Sequence, residues 1–167
     1  MCIRDRPGSE AGHYATGEDY LAAFRETLGV DMSEDEWLRI RADAMTPWPE
    51  SLAAVARAAE LGQVSLLTNN GPLAQKHLST LAPELVPLFG LEHLRTSSYY
   101  GARKPDAAVF EAVLASYDVA PEDVFFADDL APNVAGAESV GITGHLFTSA
   151  AGMLAAIEEF AVARLAR

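Results

Sequence analysis

Hydrophobic positions fall into two rhythms along this chain, and the alternation between them predicts its elements. Tyr20, Leu21, Phe24 and Leu28 recur at helical spacing behind Thr16, with Glu18 and Asp19 in the first turn and Gly29 as the stop. Ser33 with Glu36 three residues on forms a capping box. It opens a second helix through Trp37, Leu38, Ile40 and Arg41 to about Met45. No strand separates these two helices, so they are expected as a hairpin. Pro47, Trp48 and Pro49 then break the chain. Beyond them short continuous apolar runs alternate with helical patterns. Strands are predicted at Val64–Leu67, Leu94–Ser97, Val124–Ala127 and Ile142–Phe147. Helices are predicted at Pro49–Leu61, Pro72–Leu81, Asp106–Tyr117, Asn133–Val140 and Ser149–Leu165. Asn133 is placed to cap the fourth of these and Gly141 to end it. Pro7 to Ala15, rich in Gly, Ser and Glu, reads as loop, and residues 1–6 match no periodic element and are set aside as a non-native leader.

Strands alternating with helices mean parallel βαβ units, so the expected class is α/β with a doubly wound, Rossmann-like sheet and a small helical appendage. The expected division is 1–15 leader and loop, 16–47 helical appendage, and 48–167 the α/β core.

Composition narrows the function. Of 167 residues, 24 are acidic and 12 are Lys or Arg, giving a net charge of -12. That balance disfavours nucleic acid and anionic membranes as partners. The single cysteine, Cys2, excludes an internal disulfide, and the cytoplasm is the default location. No apolar run approaches the roughly 18 residues of a membrane span. Oligomeric state is not readable from the sequence.

Chemistry-bearing residues follow the strands. Thr68, Asn69, Asn70 and Gly71 follow the first, Lys104-Pro105 opens a helix, and Asp128-Asp129 follows the apolar run Val124–Ala127. In open α/β sheets ligands bind beyond the carboxyl ends of the strands. A hydroxyl, an amide and a helix N-terminus can hold phosphoryl oxygens, and a lysine can neutralise their charge. Adjacent carboxylates repel, and a hard divalent cation bound through oxygen relieves them. Each group alone also reads as an ordinary turn or surface residue. The acids Glu34, Asp35 and Glu36 read as first-turn complements to a helix dipole rather than as metal ligands.

The order of hydrophobic strand-Thr68-Asn69, then Lys104-Pro105, then Phe126-Ala127-Asp128-Asp129 with Asn133 beyond resembles the haloacid dehalogenase superfamily of hydrolases. The matches are to its second, third and fourth motifs. The hairpin resembles part of the family's helical cap. The Asp128-Asp129 pair with Asn133, and the Gly101–Pro105 approach, resemble a branch of sugar-phosphate phosphatases such as glucose-1-phosphate phosphatase. The resemblance implies a magnesium-dependent hydrolase acting on a small phosphorylated metabolite. Thr68 and Lys104 are its expected catalytic residues, with Thr68, Asn69, Asn70 and Lys104 binding substrate and Asp128 and Asp129 binding Mg2+. Asn133 is expected to orient the acidic loop.

The family's first motif is Asp-x-Asp after a leading strand; its first Asp forms an aspartyl-phosphate and its second is the general acid/base. No such pair occurs here. The chain is therefore expected to be a fragment lacking a central strand and part of the cap, inactive alone. Its two neighbouring strands should pair directly or leave a gap, and the partial cap should dock poorly. Three alternatives stand beside the phosphatase. A metal-independent 2-haloacid dehalogenase shares the fold. A phosphoacceptor receiver is disfavoured by its different motif order. A non-catalytic domain of the same fold is the third.

Overall fold

A computed structural model describes residues 6–166, with the side chain of Arg6 left out. The reading of residues 1–6 as a leader therefore lies outside the described residues, the backbone of Arg6 excepted. In chain order the helices are α1 (Arg6–Glu10), α2 (Gly17–Leu28), α3 (Glu34–Asp43), α4 (Pro49–Leu61), α5 (Pro72–Leu81), α6 (Val86–Phe89), α7 (Ala107–Tyr117), α8 (Ala131–Glu138) and α9 (Ala150–Leu165). The strands are β1 (Leu66–Thr68), β2 (Leu94–Thr96), β3 (Phe125–Asp128) and β4 (Thr143–Leu146). All pairing is parallel, as the alternating pattern requires: β1 pairs β2 with Leu66 opposite Leu94 and Thr68 opposite Thr96. Likewise β3 pairs β4 with Phe125 opposite Thr143 and Asp128 opposite Leu146. Among the described residues these pairs form two two-stranded sheets, one in each compact unit. Among the described residues no helix is long and apolar enough to cross a membrane.

The chain forms two compact units. The first comprises Met1–Pro47 and Ser65–Arg103. Its α2 and α3 start as their sequences dictate. Thr16 and Asp19, and Ser33 and Glu36, form reciprocal capping boxes, and Gly29 ends α2 at φ 64°. The link between them is tied by Arg25 Nε donating to Met32 O at 2.7 Å. Leu21, Trp37, Leu73, Ala74 and Leu81 make one core cluster, which seats both helices on α5. The expected poor docking of this pair is thus corrected: Leu21 and Leu73 are wholly buried. Glu34, at the start of α3, also takes hydrogen bonds from Lys76 and His77 on α5. On its other side α5 holds β2, where Gln75 Nε2 donates to Leu94 O and Gln75 Oε1 accepts from Thr96 N.

The segment predicted as loop at Pro7–Ala15 begins instead as helix α1, a correction with a tertiary cause. Ser9 and Glu10 are buried, and Glu10 O accepts the Ser97 hydroxyl at 2.7 Å. Ser9 fits because Gly71 has no side chain: a Cβ there would overlap the Ser9 hydroxyl. Ser97, predicted to end β2, belongs to a 3-10 turn, Ser97–Tyr100.

The second unit comprises Trp48–Val64 and Lys104–Arg167. Here Ala54 of α4 packs with Met153 and Ile157 of α9, against Phe125 and Ala127 of β3. Arg57 bridges α4 to α9 with its Nε 2.6 Å from Glu158 Oε1. Helix α8 begins at Ala131, two residues before the predicted start, with Leu130 at its N-cap. Pro132 explains this, since its fixed φ suits the first helical turn.

Candidate active site

In the second unit the apolar run Phe125–Ala127 delivers Asp128 as the last residue of β3. The backbone there is fixed from the neighbouring strand, with Phe147 N donating to Asp128 O at 2.9 Å. The carboxylate is fixed from three directions. Leu130 N and Asn133 Nδ2 each donate to Oδ1 at 2.9 Å, and Lys104 Nζ donates to Oδ2 at 2.7 Å. The Lys104 and Asp128 side chains are 8% and 7% exposed, which makes this a buried ion pair. The ammonium also lies 5.3 Å from the centre of the Phe126 ring, within cation–π range. Burial pushes the Asp128 carboxyl up, but the hydrogen bond from Lys104, with those from Leu130 and Asn133, outweighs it and holds the carboxyl below its ordinary range. Asp128 is therefore ionised at neutral pH.

Asn133 is buried in the first turn of α8 rather than at its cap, which corrects the sequence assignment; it spends its amide on Asp128. Close packing holds the Lys104 loop to this helix. Gly136 approaches Pro105 so nearly that a Cβ would overlap the Pro105 carbonyl oxygen and lie 3.0 Å from the Phe110 ring.

In the first unit Thr68 ends β1. Asn70 Nδ2 donates to Thr68 Oγ1 at 2.9 Å, and Arg41 Nη2 donates to Asn70 Oδ1 at 3.4 Å. Asn70 O accepts Ser98 N at 3.3 Å and lies 3.5 Å from Ser97 Oγ. The loop is thus held by its own side chains and by the turn after β2. Thr68 Oγ1 accepts from Asn70 and keeps its own hydrogen and a second lone pair for a ligand.

The sequence-derived residues therefore assemble within each unit: Lys104 with Asp128 in the second, Thr68 with Asn70 in the first, where Asn69 follows directly. Asp129, next after Asp128 in the chain, is exposed. Arg41 and the Leu130 N–H were not among the site residues read from the sequence. The first is distant in the chain from the motif it supports, and the second is a backbone group without a residue signature.

The donor set fits a magnesium ion. Two carboxylate oxygens offer about four lone-pair directions, and three of those on Asp128 are taken, which leaves one for a metal. Asp129 adds a second hard oxygen donor. Among the described residues no group of three or more His, Cys, Asp or Glu side chains could hold a metal. A magnesium ion held through one or two carboxylates keeps several waters.

Similarity to known proteins is found at the level of family and fold. A family model described as haloacid dehalogenase-like hydrolase matches residues 8–141. Drimenol cyclase drtB of Aspergillus calidoustus is 35% identical in an 86-residue alignment that covers 47% of this chain and 16% of that protein, so the chain spans only a small part of this relative. A HAD family enzyme of Bacteroides thetaiotaomicron, solved with magnesium and inorganic phosphate, superposes with a TM-score of 0.70 at 21% identity over 84% of this chain and 74% of that one. Its magnesium complex gives 0.68 at 22% identity over 84% and 73%. These structural likenesses establish a shared Rossmann-like fold, and the family model over most of its length establishes that this chain belongs to the haloacid dehalogenase-like hydrolases.

Proposed function

We propose that this chain carries the binding half of a magnesium-dependent phosphatase for a small phosphorylated metabolite, sugar phosphates being the class the sequence resemblance suggests. The observation that carries the reading is the buried Lys104–Asp128 pair, locked by Asn133 and Leu130 N–H at the end of an apolar strand. A carboxylate so held stays ionised and fixed in direction, which suits an electrostatic site organised before its ligand arrives. Magnesium at Asp128 and Asp129, when bound, supplies positive charge against phosphoryl oxygens. Lys104 supplies a second, protein-borne positive charge. The family resemblance assigns Thr68, whose hydroxyl Asn70 holds in place, and Asn69 to the binding of a phosphoryl oxygen.

None of these groups is a nucleophile for phosphorus. The aspartyl-phosphate route of the family needs an Asp-x-Asp, and this sequence has none. The chain alone is expected to bind phosphate and not to turn over phosphomonoesters. Calorimetric titration with inorganic phosphate, with and without magnesium, tests the reading. Binding that needs magnesium and disappears in Asp128→Asn and Lys104→Met is the expected result. Phosphate binding indifferent to magnesium would favour the metal-independent dehalogenase chemistry of the same fold. Magnesium-dependent turnover of p-nitrophenyl phosphate by the unmodified chain would reveal a nucleophile among these residues.

A further inference from the structure

A strand at the border of a sheet presents a row of N–H and C=O groups that can template the pairing of another chain. Among the described residues β2 pairs with β1 alone. Backbone groups of successive strand residues point to alternate sides, so Leu94 O and Thr96 N–H face one way and the backbone groups of Arg95 the other. Both members of that first set are taken by one side chain. Gln75 Nε2 donates to Leu94 O at 3.0 Å, and Thr96 N donates to Gln75 Oε1 at 2.6 Å. One residue of a parallel neighbour would make the same two bonds, its N–H on Leu94 O and its C=O on Thr96 N–H. A side chain wedged between β1 and β2 would keep them apart, yet they pair from Leu66–Leu94 to Thr68–Thr96, so the carboxamide lies on the border away from β1. Its oxygen also accepts the Thr96 hydroxyl at 3.1 Å, and Ser98 Oγ lies 2.8 Å from that hydroxyl. Leu94 and Thr96 are 2% and 0% exposed, an unusual depth for a border strand. Gln75 is delivered from a fixed base, the first turn of α5, where Leu73, Ala74 and Leu78 are buried.

We propose that Gln75 is an edge guard: its carboxamide stands in for a neighbouring strand and closes the outer border of β2 to strand addition by a second copy of this chain. The proposal is independent of the phosphatase reading and uses none of its residues. An apolar side chain of the same length would leave Leu94 O and Thr96 N–H buried and unpaired, which is costly, so those groups would turn to water or to another strand. A second copy is the partner that fits, because two identical borders pair antiparallel about a two-fold axis and each then satisfies the other.

The test combines amide hydrogen exchange with sedimentation velocity on the full chain and two variants. In the unmodified chain the Thr96 amide should be protected from exchange although it lies on a border strand. Gln75→Leu removes the carboxamide and keeps the length. It should speed Thr96 exchange about tenfold, the loss of one hydrogen bond, and should form dimers and larger species beyond any shown by the unmodified chain. Gln75→Lys removes the carboxamide too but sets a charge at the border, which opposes strand pairing. It should speed Thr96 exchange without added association. That contrast separates a freed edge from general destabilisation, which would make both variants associate. If Gln75→Leu loses its helical circular dichroism, Gln75→Ala takes its place with the same expectations. An unprotected Thr96 amide in the unmodified chain would overturn the proposal. So would a folded Gln75→Leu chain that exchanges and sediments as before, or equal association of the Leu and Lys variants.

Discussion

Asp128 joins a structural and a functional demand in one carboxylate. It neutralises a buried ammonium, and it keeps one lone pair for a metal. Replacing it by Asn removes the charge but leaves Lys104 buried. The expected cost is about 3 kcal/mol, because an uncompensated buried charge is what such a change creates. Its pH dependence has a definite sign. The folded carboxyl titrates below its ordinary value, so its stabilisation is complete above the unfolded value, about 4, and fades as pH falls toward the folded one. Urea unfolding of both proteins between about pH 2 and pH 6 should show a difference that is flat above about pH 4 and shrinks below it. A difference that grew toward low pH would contradict the assigned direction. At this scale the sequence was informative where chemistry is local. Asp128 was legible because an apolar run ends on it, and Thr68 for the same reason. The Lys104–Asp128 contact spans residues far apart in the chain, and only the order of motifs hinted at it. Arg41 gave no hint, since a basic residue late in a helix reads equally well as a complement to the helix dipole.

Element boundaries were legible where capping chemistry is written in adjacent residues. Thr16 with Asp19 and Ser33 with Glu36 form the boxes that start α2 and α3. Thr16→Ala or Ser33→Ala should each cost about 1 kcal/mol in denaturant midpoint terms. Helix α8 was misplaced because Asn133 resembles a cap, whereas Pro132 sets the start and leaves the Asn133 side chain free to turn toward Asp128. Helix α1 was missed because a turn rich in Gly and Ser becomes helical only through its burial beside Gly71 and Ser97. Gly136 offers the sharpest test at this scale. Its added methyl in Gly136→Ala would meet the Pro105 carbonyl, which is backbone and cannot rotate away. The expected destabilisation is about 1–3 kcal/mol. Phosphate affinity should fall as well, since the displaced segment carries Lys104. An Ala variant of unchanged stability and affinity would show that α8 and the Lys104 loop are not packed this tightly.

For the whole molecule, the division at Pro47 falls at the Pro47-Trp48-Pro49 break, but the crossings after Val64 and Arg103 have no compositional mark. A unit assembled from two segments of chain cannot be read from windows along one of them. The acidic excess is likewise a property of the whole chain. Magnesium bound at Asp128 and Asp129 would stabilise the folded chain by mass action. At ten times its dissociation constant the gain is about 1.4 kcal/mol. For a domain of this size that is a rise of roughly 3–6 °C in Tm. Calcium or sodium at equal ionic strength should do less, and Asp129→Asn should blunt the magnesium effect. A rise matched by sodium would reduce the effect to screening of the net charge.

The hydrogen bonds behind Thr68 run in one direction: Arg41 gives to Asn70, and Asn70 gives to Thr68. The hydroxyl at the end of that relay keeps its hydrogen and a second lone pair, so a phosphate monoanion and a dianion can both meet it. Charge separates them: the dianion is drawn more strongly to the Arg41 guanidinium behind the relay. Affinity for inorganic phosphate should therefore climb as pH rises through the second ionisation of phosphate, near 6–7, and level off above it. Sulfate, fully deprotonated across that range, should bind with no such inflection.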